Sequence, residues 1–134
     1  MQLKQPARPV CAPLRVLLVE DHPDGRESLR QLLTLLGYEV TTAADGEEGV
    51  TMGLETRPDV AIIDINLPKM GGRQVAERLR RTLGEAVALI AYTACDEGKV
   101  DRRGMGTAFN DWVIKPGELP ELLSRLDCRR TRRS

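Results

Sequence analysis

The chain has 134 residues, 41% hydrophobic and 30% charged, which suits one domain with a self-sufficient core. Acids and bases balance at 20 each, but residues 1–13 and 128–134 hold Lys4, Arg8, Arg129, Arg130, Arg132, Arg133 and no acid, so residues 14–127 keep 14 bases against 20 acids, a net of −6. That acidic body argues against a nucleic-acid surface; the three cysteines (Cys11, Cys95, Cys128) lack CxxC spacing, which argues against a disulfide framework or zinc site; and no apolar run approaches the roughly 20 residues of a membrane span.

Pro6, Pro9 and Pro13 mark residues 1–13 as an irregular lead-in without the apolar segment of a secretory signal, so the expected compartment is the cytoplasm. Val16-Leu17-Leu18-Val19 predicts a short strand buried on both faces, ending in Glu20-Asp21. Pro23 and Asp24 open a helix with an apolar face of Leu29, Leu32, Leu33 and Leu36, closed by Gly37. Tyr38 to Ala43 is the second strand, and Asp45-Gly46 turns into a short helix expected to bury Val50 and Leu54. The third strand, Val60-Ala61-Ile62-Ile63, ends in Asp64, and the loop through Asn66, Pro68 and Gly71-Gly72 is expected to need unusual backbone angles.

A third helix carries Val75, Ala76, Leu79 and Leu83 on one face, and Val87 to Thr93 is the fourth strand. A weak helix is expected over Gly98 to Met105, then a fifth strand, Trp112-Val113-Ile114, ending in Lys115-Pro116. The last helix packs Leu119, Leu122, Leu123 and Leu126, with Pro120 in its first turn. Residues 128–134 read as a basic, solvated tail. Strands alternating with helices imply a parallel sheet covered on both faces.

In such a sheet the strand ends share one edge, where open α/β folds bind ligands. That edge collects Glu20, Asp21, Asp64, Thr93 and Lys115. Three acids at one edge repel one another unless a cation sits among them, and oxygen-only ligands favour Mg²⁺. An acid pair, a further carboxylate, a hydroxyl and a fixed cation together suit phosphoryl transfer to an aspartate.

The segments LLVEDHPD, AIIDINLPKMGG, ALIAYTA and WVIKPGEL occur in order from Leu14 to Leu126, and the chain resembles the receiver domain of two-component response regulators. The resemblance implies a flavodoxin-like (βα)5 sandwich with a five-stranded parallel sheet in the order 2-1-3-4-5. It implies Asp64 as phosphoacceptor, Asp21 as a direct Mg²⁺ ligand, Glu20 acting through water and the Asn66 backbone carbonyl as a further ligand. Thr93 would bond a phosphoryl oxygen, Lys115 would pair with another, and Pro116 would follow a cis peptide bond. Trp112 falls at the aromatic switch position, where Tyr or Phe is common, and Ala108 stands where a glycine is usual. Cys95 and Asn66 occupy positions that tune phosphoryl lifetime in the family.

The implied donor is a sensor histidine kinase or a histidine phosphotransfer protein. The implied output is a protein target bound through the face of helix four, strand five and helix five. Eight residues follow Leu126, too few for a DNA-binding domain, so no direct nucleic-acid contact is expected; a stand-alone receiver and one cut from a hybrid kinase both fit. Singly, the residues have plainer readings: Glu20-Asp21 as a helix cap, Lys115-Pro116 as a turn, Trp112 as core. A haloacid-dehalogenase-type phosphohydrolase would also use a strand-end aspartate and Mg²⁺, but its nucleophile lies in an Asp-x-Asp pattern on the first motif strand. A phosphate-blind pseudo-receiver would be expected to lose one of these acids or Lys115, and none is lost.

Overall fold

Short apolar runs flanked by charged loops leave the central strands no solvated face, so the sheet must be covered on both sides. The computed structural model of the chain describes residues 13–93, 108–114 and 119–133. Its strands are β1 (Arg15–Val19), β2 (Glu39–Ala43), β3 (Val60–Ile63), β4 (Ala88–Thr93) and β5 (Asp111–Ile114). Its helices are α1 (Pro23–Leu35), α2 (Gly46–Thr56), α3 (Gly72–Leu83) and α4 (Leu119–Arg133), with a 3-10 turn at Gly84–Ala86. The strands form one parallel sheet in the order β2-β1-β3-β4-β5, as expected for the flavodoxin-like arrangement. The helix expected over 98–105 lies outside the described residues, as do Cys95, Lys115 and Pro116.

Alternation along each strand divides the core. Val16, Leu18, Val60, Ile62, Ile90 and Val113 join Leu33 of α1 and Leu122 and Leu126 of α4 on one face. Leu17, Val19, Ala61, Ile63 and Leu89 join Val75, Ala76 and Leu79 of α3 on the other. The α2 helix covers that second face differently from expectation. Its buried positions are Gly46, Gly49 and Gly53, with Val50 partly buried and Leu54 36% exposed. The glycines lie one helical turn apart, and a Cβ at Gly49 would stand 3.0 Å from the Val19 methyls, so α2 approaches the sheet by its backbone.

Similarly, α1 stops at Leu35, Leu36 caps it outside helical geometry, and Leu36 is 44% exposed instead of joining the apolar face. Gly37 takes φ +97°, which serves the expected helix ending. At the other end of the chain, α4 continues to Arg133, so residues 128–133 are helical where the sequence suggested a solvated tail. Arg130 explains how they are held: its guanidinium lies 4.0 Å from the centre of the Tyr38 ring and donates to the Leu36 carbonyl at 2.7 Å. A cation there also satisfies an orphan carbonyl at the end of α1.

Candidate metal and phosphoacceptor site

The parallel register brings the acids together. Val19 pairs with Ile63, and the Asp64 N–H donates to the Val19 carbonyl at 3.0 Å, so the chains leave β1 and β3 side by side. The Glu20 N–H donates to the Ala43 carbonyl at 3.0 Å, tying the same exit to β2. Glu20, Asp21 and Asp64 each then offer a carboxylate oxygen, all within 4.8 Å of one another. Glu20 is 5% and Asp64 6% exposed, while Asp21 is half-buried.

Backbone donors orient two of these carboxylates. The His22 N–H donates to Glu20 Oε2 at 3.2 Å and the Asn66 N–H to Asp64 Oδ1 at 3.0 Å. Arg26 Nη1 donates to the Glu20 carbonyl at 2.9 Å, fixing the first turn of α1 to the site. His22 itself is the exposed N-cap residue of α1 and makes no side-chain cap.

The loop after Asp64 is shaped by space more than by glycine angles. Gly71 has φ −66° and Gly72 begins α3; the left-handed residue is Lys69, at φ +68°. A Cβ on Gly72 would lie 2.3 Å from the Asp64 carbonyl oxygen and 2.8 Å from the Ile65 Cα, so only glycine fits. The Gly72 N–H donates to the Ile65 carbonyl at 3.0 Å and closes the loop. The Gly71-Gly72 pair signalled a turn; nothing local signalled the backbone contact that requires it.

Thr93 ends β4, fully buried, and pairs in register with Ile114. Trp112 pairs with Ala91, two residues earlier, which sets Trp112 and Thr93 on the same sheet face. The indole is half-buried and edge-on to Phe109, with ring centres 5.4 Å apart at 61°. Lys115 and Pro116 fall among the residues not described. Sequence reasoning missed Arg80, which secures the approach to β5. Its guanidinium donates to the carbonyls of Gly84 (2.6 Å), Val87 (2.7 Å) and Ala108 (2.8 Å) and to Asn110 Oδ1 (2.7 Å).

The donor set fits a hard divalent cation. Every ligand is oxygen, two of three carboxylates are withdrawn from water, and the cluster has no sulfur or imidazole of the kind zinc takes. Buried like charges at this spacing are best compensated by a cation among them.

Residues 16–127 match the sequence profile of the response regulator receiver domain. The chain belongs to that family. The receiver family is a family of signalling phosphoacceptors. The response regulator MprA of Mycolicibacterium vanbaalenii is 36% identical over 114 residues, which are 85% of this chain and 49% of that protein. Among solved structures, a response regulator of Thermotoga maritima, TrrA, in complex with Mg²⁺ and BeF, has a TM-score of 0.76 at 30% identity and covers 87% of this chain and 98% of its own. The receiver domain of a Pseudomonas aeruginosa sensor histidine kinase, with a magnesium ion coordinated in its active-site cleft, has a TM-score of 0.78 at 32% identity, over 90% of this chain and 99% of its own.

This receiver domain spans about half the length of the curated relatives it matches. Those relatives continue well beyond the matched segment, so the expectation of no direct nucleic-acid contact, which rested on the few residues after Leu126, does not extend to proteins of that length. Among the described residues, no helix is long and apolar enough to cross a membrane.

Proposed function

We propose that this receiver accepts a phosphoryl group on Asp64 from the phosphohistidine of a sensor histidine kinase or histidine phosphotransfer protein, in a Mg²⁺-dependent reaction in the cytoplasm. The observation that carries the reading is the convergence of Glu20, Asp21 and Asp64 carboxylate oxygens within 4.8 Å, two of the three side chains buried, in a chain of this family. Asp21 would hold Mg²⁺ directly, Glu20 through water, and the Asn66 backbone carbonyl would complete the protein ligands beside Asp64. When bound, the ion would neutralise charge among the carboxylates and the phosphoryl oxygens, which is most of what such a transfer asks of its site.

In the transfer, an Asp64 oxygen forms the new bond to phosphorus as the bond to the donor imidazole nitrogen breaks. Thr93 would then donate its hydroxyl to one phosphoryl oxygen, and the Lys115 ammonium would pair with another. The Trp112 ring would respond to Thr93, and the face of β5 and α4 would change for a downstream protein. The phosphoryl group moves that equilibrium by its preference for one arrangement. The domain is thus a signalling phosphoacceptor that assists its own phosphorylation and dephosphorylation, not an enzyme acting on a separate substrate.

Acetyl phosphate with Mg²⁺ should add one phosphoryl group to the protein, and Asp21→Ala should abolish both this and Mg²⁺ binding. Unchanged Mg²⁺ affinity in Asp21→Ala would remove the proposed site. Absence of any phosphorylation in the native protein would favour a phosphate-blind receiver.

A further inference from the structure

Resting on that reading of the metal site, we infer that Gly46, at the first turn of α2, is a positioning residue for the loop that presents Asn66 to the cation. The juxtaposition is one of backbone against backbone. A Cβ at Gly46 would lie 2.3 Å from the Met70 carbonyl oxygen, 2.7 Å from the Met70 Cβ and 3.0 Å from its carbonyl carbon. No rotamer change relieves a contact with a main-chain oxygen, so either α2 or the loop must move.

The helix is the better anchored of the two. The Glu48 N–H donates to Asp45 Oδ1 at 2.8 Å, and Glu48 Oε1 accepts from the Ala44 N–H at 2.6 Å, a reciprocal cap that fixes where α2 begins. Gly49 against Val19 and Gly53 against Leu79 seat the same helix closely on the core. The loop is closed by two local bonds, from the Met70 N–H to the Pro68 carbonyl at 2.7 Å and from the Gly72 N–H to the Ile65 carbonyl at 3.0 Å, and rests Leu67 and Met70, both only partly buried, on the core. The Lys69–Asp45 pair at 3.5 Å, with Lys69 well exposed, adds a weak polar tie to the start of α2.

A side chain at 46 therefore displaces the loop, and the loop runs from Asp64 through Asn66. Mg²⁺ demands near-ideal octahedral geometry, so a small displacement of one carbonyl lowers affinity. Residues that position metal ligands typically cost about 10- to 100-fold when lost. The native glycine is thus a spacer that lets α2 serve as a wall for the metal loop.

The test compares Gly46→Ala with Gly53→Ala on the same helix. The Gly53 Cβ would meet the Leu79 Cδ2 at 2.6 Å, a side-chain tip on the core side. Titration with Mg²⁺ alone, beside thermal melts, should show about tenfold weaker binding in Gly46→Ala and binding within about twofold of native in Gly53→Ala, whatever each loses in stability. Native-like Mg²⁺ affinity in Gly46→Ala, or an equal loss in both variants, overturns the inference. Should Gly46→Ala fail to fold, Mg²⁺ titration of the native protein decides. The amide resonances of Asp45 and Gly46 should shift with those of residues 67–70 while Gly53 stays still, and a silent Gly46 overturns the role. A native protein that binds no Mg²⁺ would instead sink the metal-site reading, and the positioning role with it.

Discussion

Replacing Arg80 with alanine tests whether one side chain holds the approach to β5 against the rest of the fold. Its side chain is 18% exposed, and the guanidinium makes four hydrogen bonds of 2.6 to 2.8 Å, reaching the turn after α3, the residue before β4 and the segment before β5. Hydrogen bonds to a charged group contribute about 1.5–3 kcal/mol each, but water re-solvates freed carbonyls at this half-open site. Truncation is therefore expected to cost about 2–4 kcal/mol, well short of the sum. For a domain of this size that is roughly 10 °C in melting temperature. The Arg80–Glu85 ion pair, at 3.9 Å with Glu85 90% exposed, contributes little, so Glu85→Ala should stay within about 0.5 kcal/mol of native. Denaturant unfolding followed by far-UV circular dichroism measures both. Trp112 emission should shift in Arg80→Ala as well, because Ala108 and Asn110 flank the Phe109 ring that meets the indole. A loss below about 1 kcal/mol in Arg80→Ala, or an equal loss in Glu85→Ala, would refute the reasoning.

Arg130→Ala removes both the Tyr38 ring contact and the bond to the Leu36 carbonyl, and should cost about 1–2 kcal/mol in urea unfolding. Burial holds the Tyr38 phenol above its ordinary value, so the folded state keeps that proton longer than the unfolded chain does; stability from this group is intact below about pH 10 and falls as pH rises from there through the raised value, which pH-dependent melts will register. Beryllofluoride with Mg²⁺ should change the emission or iodide quenching of Trp112, the single tryptophan, and Thr93→Ala should blunt the change. Identical spectra with binding independently confirmed would remove the switch role of Trp112.

The sheet was legible because its strands are apolar runs bounded by acids, prolines and glycines. Val60–Ile63 is the run itself, and helices alternating with strands made the sheet parallel, while the order β2-β1-β3-β4-β5 is what the receiver resemblance implied. The acid cluster was legible for the same reason: Glu20 and Asp64 are the first polar residues after buried strands, and Asp21 follows Glu20 directly. What escaped the sequence depends on contacts with backbone atoms, which carry no residue-type signal. Gly46 and Gly72 are needed for space against carbonyl oxygens, and α2 turns glycines inward where Val50 and Leu54 seemed the natural apolar face. Arg130 reaches a carbonyl 94 residues away and Arg80 one 28 residues away, distances at which periodicity says nothing. Lys69 takes a left-handed conformation two residues from a glycine that the pattern would have chosen for it.

The central claim is that Asp64 is the phosphoacceptor. Phosphorylation with acetyl phosphate and Mg²⁺, reduction of the acyl phosphate with borohydride and peptide mass spectrometry would locate the modified residue. The account predicts reduction at Asp64 in the native protein and none in Asp64→Asn. A label on Asp21 or Glu20, or labelling that survives in Asp64→Asn, would contradict it.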